Sequence, residues 1–249
     1  NGWTGVKMGF DRPLTHGPDE MTRLRDIVLT GRGMARKGGS ITRVDGIRDR
    51  YIADLVGDFR LSRPLRIVCA TGNGTAGAFA PEVLARIGAE VIPLHTELDY
   101  TFPNYNPNPE ALEMLHDMAD AVRTHGADLA MGFDGDGDRC GIVDDRGEEI
   151  FADRMGLMLA RHWAAAFPGA KFVVDVKSTG LFLSDPVLRD AGVTTEYWKT
   201  GHSHMKRRVR DTGALAGFEK SGHYFLATPI GRGYDCGMRV AVEVARMLD

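Results

Sequence analysis

Arg66-Ile67-Val68-Cys69-Ala70-Thr71-Gly72-Asn73-Gly74-Thr75-Ala76-Gly77 decides the fold, because a short apolar run passes directly into a glycine-rich loop. A run of this length bounded by glycines reads as a buried strand. A helical stretch over residues 76–87 and a second apolar run at residues 89–93 complete a β-α-β unit. Gly72, Gly74 and Gly77 match a dinucleotide fingerprint, but Leu94 and His95 stand where an acidic residue would have to hold a ribose. The loop is therefore read as a structural tight turn, with nucleotide binding ranked behind it.

Working outward, residues 44–59 carry Ile47, Tyr51, Leu55 and Phe59 at fourfold spacing, which predicts a helix with one apolar face. The segment before it, residues 1–40, holds one amphipathic stretch at 21–29 and then glycine pairs, and reads as a domain tail with a linker. On the other side, a proline-rich connection at 102–109 leads to a helix ending near His125, a strand at 128–132 and an acidic loop. The second half repeats this grammar: a strand at 171–175, the polar loop Lys177-Ser178-Thr179-Gly180, a helix to about Ala191 and a strand at 193–198. Pro81-Glu82-Val83-Leu84 precedes Gly88 much as Pro186-Val187-Leu188 precedes Gly192, which suggests a duplication. The expected fold is α/β: two similar mixed-sheet β-α-β domains, residues 41–149 and 150–249, with the boundary following the turn Asp144-Asp145-Arg146-Gly147, plus the tail of a preceding domain.

The chain has 249 residues and is 43% hydrophobic, enough for packed cores. A formal charge of -3 gives no general attraction to nucleic acid or an anionic membrane. The apolar runs are too short to span a bilayer and no leader opens the chain, so a soluble cytoplasmic protein is expected. Cys69, Cys140 and Cys236 are odd in number and widely spaced, which argues for core or strand positions over a disulfide framework or a zinc site.

The acidic loop is Asp134-Gly135-Asp136-Gly137-Asp138-Arg139. Alternate carboxylates can turn toward one point, and the glycines between them permit the tight backbone path. Hard oxygen donors favour magnesium or calcium, and three carboxylates leave positions for a phosphate or water. An EF-hand would need Gly and Glu where Arg139 and Asp145 stand. A phosphoaspartyl phosphotransferase would use Asp134 as nucleophile, but Asp138 occupies a position where Thr or Val is expected. A plain Asp-Gly hairpin turn is the remaining reading.

Thr200-Gly201-His202-Ser203 follows a predicted strand and opens a helix, so its N–H groups form a natural anion site, with Ser203 as cap. The run Lys206, Arg207, Arg208, Arg210 reads as a solvated helix face. Glu219, Ser221 and His223 alternate in a glycine-bearing loop and offer an acceptor, a hydroxyl and a ring nitrogen to a sugar.

Taken together, Gly72-Asn73-Gly74-Thr75-Ala76-Gly77, the acidic loop, Lys199-Thr200-Gly201-His202-Ser203 and Gly217-Phe218-Glu219-Lys220-Ser221-Gly222-His223 make the chain resemble the α-D-phosphohexomutases, in particular the bacterial phosphomannomutase/phosphoglucomutase branch. The resemblance implies an isomerase that interconverts hexose 1-phosphate and hexose 6-phosphate, of mannose or glucose, through a phosphoserine and a bisphosphosugar. It implies one Mg2+ on Asp134, Asp136 and Asp138, catalytic cations at Lys7 and Arg139, and substrate contacts from Lys177, His202, Glu219, Ser221 and His223. A hexose 1,6-bisphosphate is the implied activator and a phosphosugar the implied partner. The family's serine lies in a Ser-His-Asn-Pro loop just before an Asn-Gly-x-x-x-Lys segment, and this sequence opens with Asn1-Gly2-Trp3-Thr4-Gly5-Val6-Lys7. The nucleophilic serine is thus not in the chain, and a fourth domain is expected beyond Asp249. The chain reads as the middle of an enzyme, inactive alone. The alternatives kept are a phosphoglucosamine mutase, ranked lower because Lys220 stands where that branch has glutamine, a phosphoaspartyl phosphotransferase, and a non-catalytic sugar-phosphate binder.

Overall fold

The computed structural model describes residues 6–249, so the Asn1 to Gly5 part of the opening motif lies outside the described residues. Strands β1 (Arg66–Ala70), β2 (Glu90–Leu94), β3 (Leu129–Phe133), β4 (Cys140–Val143) and β5 (Glu149–Ile150) form one sheet in the order β2-β1-β3-β4-β5. β1 runs parallel to β2 and β3, whereas β4 is antiparallel to β3 and β5. Strands β6 (Lys171–Asp175), β7 (Thr194–Trp198), β8 (Ala216–Phe218) and β9 (Tyr224–Leu226) form a second sheet in the order β7-β6-β8-β9. Its pairings are again parallel, parallel and antiparallel. The second sheet thus repeats the order and directions of β2-β1-β3-β4, β5 being an extra strand of the first, and both sheets are mixed.

The glycine offsets noted in the sequence mark equivalent turns. Gly88 (φ 99°) and Gly192 (φ 70°) both take the left-handed conformation after a helix, and each lets the next residue donate back to a leucine carbonyl, Ala89 to Leu84 at 3.1 Å and Val193 to Leu188 at 2.9 Å. The helix expected over 76–87 is divided into a 3-10 turn (Thr75–Ala78) and α3 (Ala80–Arg86). Pro81 lacks an N–H and is accommodated in the first turn of a new helix, not inside a continuing one. The later helix divides for the same reason into α6 (Leu181–Ser184) and α7 (Pro186–Asp190). Asp185 caps α7 by accepting from the N–H groups of Val187 and Leu188 at 3.0 and 3.1 Å.

Helix α1 (Pro18–Leu29) has no buried residue, and α2 (Ile47–Val56) buries Ile52, Leu55 and Val56. The fourfold ladder expected on α2 fails at Ile47, which is exposed, while Tyr51 and Phe59 are half-buried. At 3.6 residues per turn each step of four turns by about 40°, so the two steps from Leu55 back to Ile47 carry the ladder off the core, and Phe59 lies beyond the helix, which ends at Val56. Helix α4 (Leu112–His125) covers the outer face of the first sheet and buries Met114, Met118 and Val122 completely, roughly 1.5–3 kcal/mol each. Helix α8 (His202–Thr212) covers the corresponding face of the second sheet through Met205 and Val209. Between the sheets, α5 (Ala152–Ala166) and α9 (Gly237–Leu248) belong to one continuous core that reaches from Ile67 and Leu84 to Phe172 and Phe218. Among the described residues no helix is long and apolar enough to cross a membrane.

Candidate phosphosugar and metal site

The acidic loop leaves the carboxyl end of β3, the edge at which loops of parallel α/β sheets converge. It is clamped from two sides. Thr75 donates to the Gly135 carbonyl from its N–H at 3.0 Å and its hydroxyl at 3.1 Å, so the glycine-rich loop serves as a structural brace. Gly237, the first residue of α9, donates to the Gly137 carbonyl at 3.0 Å. Within the loop Gly137 turns back with φ 75° and donates to the Asp134 carbonyl at 3.1 Å.

One carboxylate oxygen from each of Asp134, Asp136 and Asp138 lies within 4.8 Å of the others. Asp134 is buried and braced by Arg139, whose N–H donates to Oδ1 at 3.2 Å and whose Nε donates to Oδ2 at 2.8 Å. Arg139 also donates from Nη1 to Asn108 Oδ1 at 3.1 Å. Asp136 is exposed, while Asp138 accepts from Lys7 Nζ at 3.0 Å and keeps Oδ1 buried without a hydrogen-bond partner. Burial pushes the Asp138 carboxyl above its usual range, against the pull of His223 and Lys7. For Lys7 burial works downward, but the Asp138 pairing prevails and holds the ammonium above its usual value. Three hard oxygens at this spacing, one of them orphaned, fit a small divalent cation.

The second half contributes the turn between β8 and β9. Glu219 donates from its N–H to the His223 carbonyl, Gly222 donates to the Glu219 carbonyl, both at 3.0 Å, and Gly222 takes φ 89°. Glu219 is almost fully buried; its Oε1 accepts from the Gly201 N–H at 2.6 Å and its Oε2 from the Ser221 hydroxyl at 3.4 Å. Burial pushes its carboxyl upward. His202 opens α8 with Nδ1 buried and unpartnered, and burial holds its pKa below the usual value, favouring the neutral ring. The His202 and His223 rings lie 6.4 Å apart. An isolated antiparallel bridge pairs Arg139 with His223, so the acidic loop of one sheet is joined through backbone to the turn of the other. Lys177 lies exposed just past β6, on the same strand edge.

Three readings need correction. Ser203 is not the cap of α8: Gly201 holds that position, and the Ser203 hydroxyl bonds Thr15 Oγ1 at 2.9 Å. The basic run on α8 is a solvated face only in part: Lys206 is buried and pairs with Asp235 at 2.8 Å, while the partly exposed Arg207 and Arg208 and the exposed Arg210 pair with Glu20 at 3.0 Å, Glu196 and Asp11. Cys69 and Cys140 are buried strand residues as expected, but Cys236 is half-buried ahead of α9, 3.1 Å from the Tyr51 hydroxyl.

Asp175 is a residue the sequence reading passed over. Fully buried at the end of β6, it accepts from the Ser178 hydroxyl, from Thr200 Oγ1 at 2.9 Å and from the Lys220 N–H at 3.3 Å. It thereby ties together the three loops that hold Lys177, His202 and Glu219. An acid at the carboxyl end of a parallel strand was the available signal.

These features define a duplicated mixed-sheet α/β protein with a carboxylate-rich loop set against a glutamate-serine turn. The Phosphoglucomutase/phosphomannomutase alpha/beta/alpha domain II model matches residues 49–147, and the domain III model of the same family matches residues 151–249. The chain belongs to the phosphoglucomutase/phosphomannomutase family. It is 39% identical over 228 residues to a phosphomannomutase/phosphoglucomutase of Pseudomonas putida, covering 92% of this chain and 47% of that protein. A phosphoglucomutase of Neisseria gonorrhoeae is 38% identical, over 99% of this chain and 53% of its own length. Among solved structures, a phosphoglucomutase/phosphomannomutase family protein from Burkholderia thailandensis superposes with a TM-score of 0.87 at 34% identity, covering 92% of this chain and 49% of that one. The chain thus spans about half the length of the relatives it matches.

Proposed function

We propose that the polypeptide carrying this chain is a cytoplasmic phosphohexomutase that interconverts the 1- and 6-phosphates of mannose or glucose, and that this chain supplies its metal loop and sugar-reading turn. The reading is carried by the Arg139–His223 bridge, which apposes the acidic loop and the Glu219–Ser221 turn in one cleft. Residues 1–40 fit the tail of a preceding domain, since the apolar residues Ile27, Val28 and Leu29 of α1 are exposed here. Domains 41–149 and 150–249 follow.

In this proposal Asp134, Asp136 and Asp138 hold Mg2+, which supplies charge neutralisation at the phosphoryl group. Arg139 fixes Asp134 and steadies the loop. Lys7, already at the loop's rim, places a cation where a transferring phosphoryl group would gather negative charge. Glu219 and Ser221 accept from and donate to ring hydroxyls, while His202, His223 and Lys177 contact the sugar phosphate. A hexose 1,6-bisphosphate serves as activator and as the intermediate that reorients between half-reactions.

The test is 31P NMR of glucose 1-phosphate, mannose 1-phosphate and glucosamine 1-phosphate with the full-length gene product, Mg2+ and a trace of glucose 1,6-bisphosphate. The glucose and mannose compounds should equilibrate with their 6-phosphates, and Asp136→Asn should slow this at least about 100-fold. Binding without turnover, or an Asp136→Asn rate equal to wild type, would overturn the proposal.

A further inference from the structure

Asp235 lies in the segment between β9 and α9, bridged to Phe225 of β9. Its Oδ1 meets Lys206 Nζ at 2.8 Å, with side chains only 7% and 5% exposed. Removing two charges from water this completely costs solvation that their attraction roughly balances, so the pair is not explained as a source of stability. The other oxygen, Oδ2, stands 3.3 Å from His223 Nδ1, and Asp138 Oδ1 stands 3.5 Å from the same nitrogen. All three atoms are buried, and none has another hydrogen-bond partner. A bare nitrogen lone pair facing two carboxylates would be repelled, so the proton of the neutral ring belongs on Nδ1. In the neutral ring Nε2 is then left as the acceptor; burial favours that form, while Asp235, Asp138 and Glu219 hold the pKa above its usual value. The ring face is fixed as well, because Phe225 stacks on it with centroids 6.4 Å apart and planes 13° apart.

We propose that Asp235, anchored by Lys206, is a positioning residue that holds the His223 ring in the Nδ1–H tautomer, so that Nε2 is presented as an acceptor to a hydroxyl of the bound phosphosugar. This inference rests on the mutase reading and adds to that site two residues, Asp235 and Lys206, that act through His223. Lys206 holds Asp235 Oδ1, and Asp235 Oδ2 keeps the ring from flipping. The arrangement also runs from α8 through the turn to Asp138, so it spans the two halves of the cleft.

The experiment is long-range 1H–15N spectroscopy of histidine-labelled chain, with the His223 signals assigned by their loss in His223→Gln. At a pH high enough to leave the ring neutral, wild type should show His223 as the Nδ1–H tautomer, and Asp235→Asn should shift the population toward Nε2–H. The double variant Asp235→Asn/Lys206→Met removes both charges without orphaning either and should show the same shift. In the full-length polypeptide, Asp235→Asn should lower kcat/KM by about 10-fold or more, as expected when the group that orients a substrate contact is lost. An unchanged tautomer in both variants, or an unchanged kcat/KM beside a normal wild-type rate, would overturn the inference. Absence of turnover in wild type would refute the mutase reading instead, and the tautomer measurement would still decide the role of Asp235.

Discussion

At Gly237 an added Cβ would stand 2.4 Å from the Arg139 carbonyl oxygen and 3.0 Å from that of Gly137. Both contacts are backbone and belong to the acidic loop, so neither can swing aside. Gly237→Ala should therefore cost about 1–3 kcal/mol of stability and weaken divalent-cation binding by displacing the loop; urea unfolding and cation titration check this. Unchanged stability would mean that the loop yields more readily than these contacts indicate. The three aspartates were readable in the sequence because glycine alternation leaves few other uses for that pattern. Asp235 was not, and Asp175 showed only its place at a strand's carboxyl end, since each is a single acid whose partners, Lys206 and His223 or Thr200 and Lys220, are hidden in a basic run or distant in sequence. Lys206 offered one hint: it lies between Met205 and Val209, both buried, at the margin of the helix face that meets the sheet.

Helix α9 links the halves at the level of elements, packing against α2, α3 and β4 on one side and α5 on the other. Its period is written in the sequence, with Arg239, Glu243 and Arg246 on one stripe and Met238, Val240, Ala241, Val242, Val244 and Ala245 buried around it, but the elements those apolar residues pack against are not. Strands such as β1 and β6 were readable because short apolar runs bounded by loop residues have few alternatives. Glu243 is the exception within α9, buried near Trp163 Nε1 at 3.4 Å and the guanidinium groups of Arg246 and Arg239 at 3.7 and 3.9 Å. Burial raises its carboxyl pKa despite those cations. A raised carboxyl favours the fold at pH below the unfolded value of about 4.3, and that contribution is lost as pH climbs through the folded value. Glu243→Gln, which keeps the uncharged form, should thus gain stability over wild type at pH 8 and show little gain near pH 4. Urea midpoints at the two pH values test this, and a variant weaker than wild type at pH 8 would contradict it.

Across the molecule, one strand order is used twice, and the two copies meet where their loops do. The duplication was visible in the matched Pro and Gly positions because those residues fix turns whatever the side chains around them. The docking of residues 11–20 on α8, through Asp11–Arg210, Thr15–Ser203 and Glu20–Arg207, was not visible, because solvated and paired arginines look alike in a sequence. That docking keeps Lys7 beside Asp138, completing a cleft with contributions from three parts of the chain. The acidic loop organises the whole cleft if it holds a cation. Asp136 is the ligand to remove, since its side chain is 67% exposed and its nearest cation, Lys7, is 4.0 Å away, so the fold should survive its loss. Calorimetric titration of this chain with Mg2+ should give one ion per chain for wild type and a loss of binding in Asp136→Asn at unchanged thermal stability. No binding by wild type, or equal binding by the variant, would contradict the assignment.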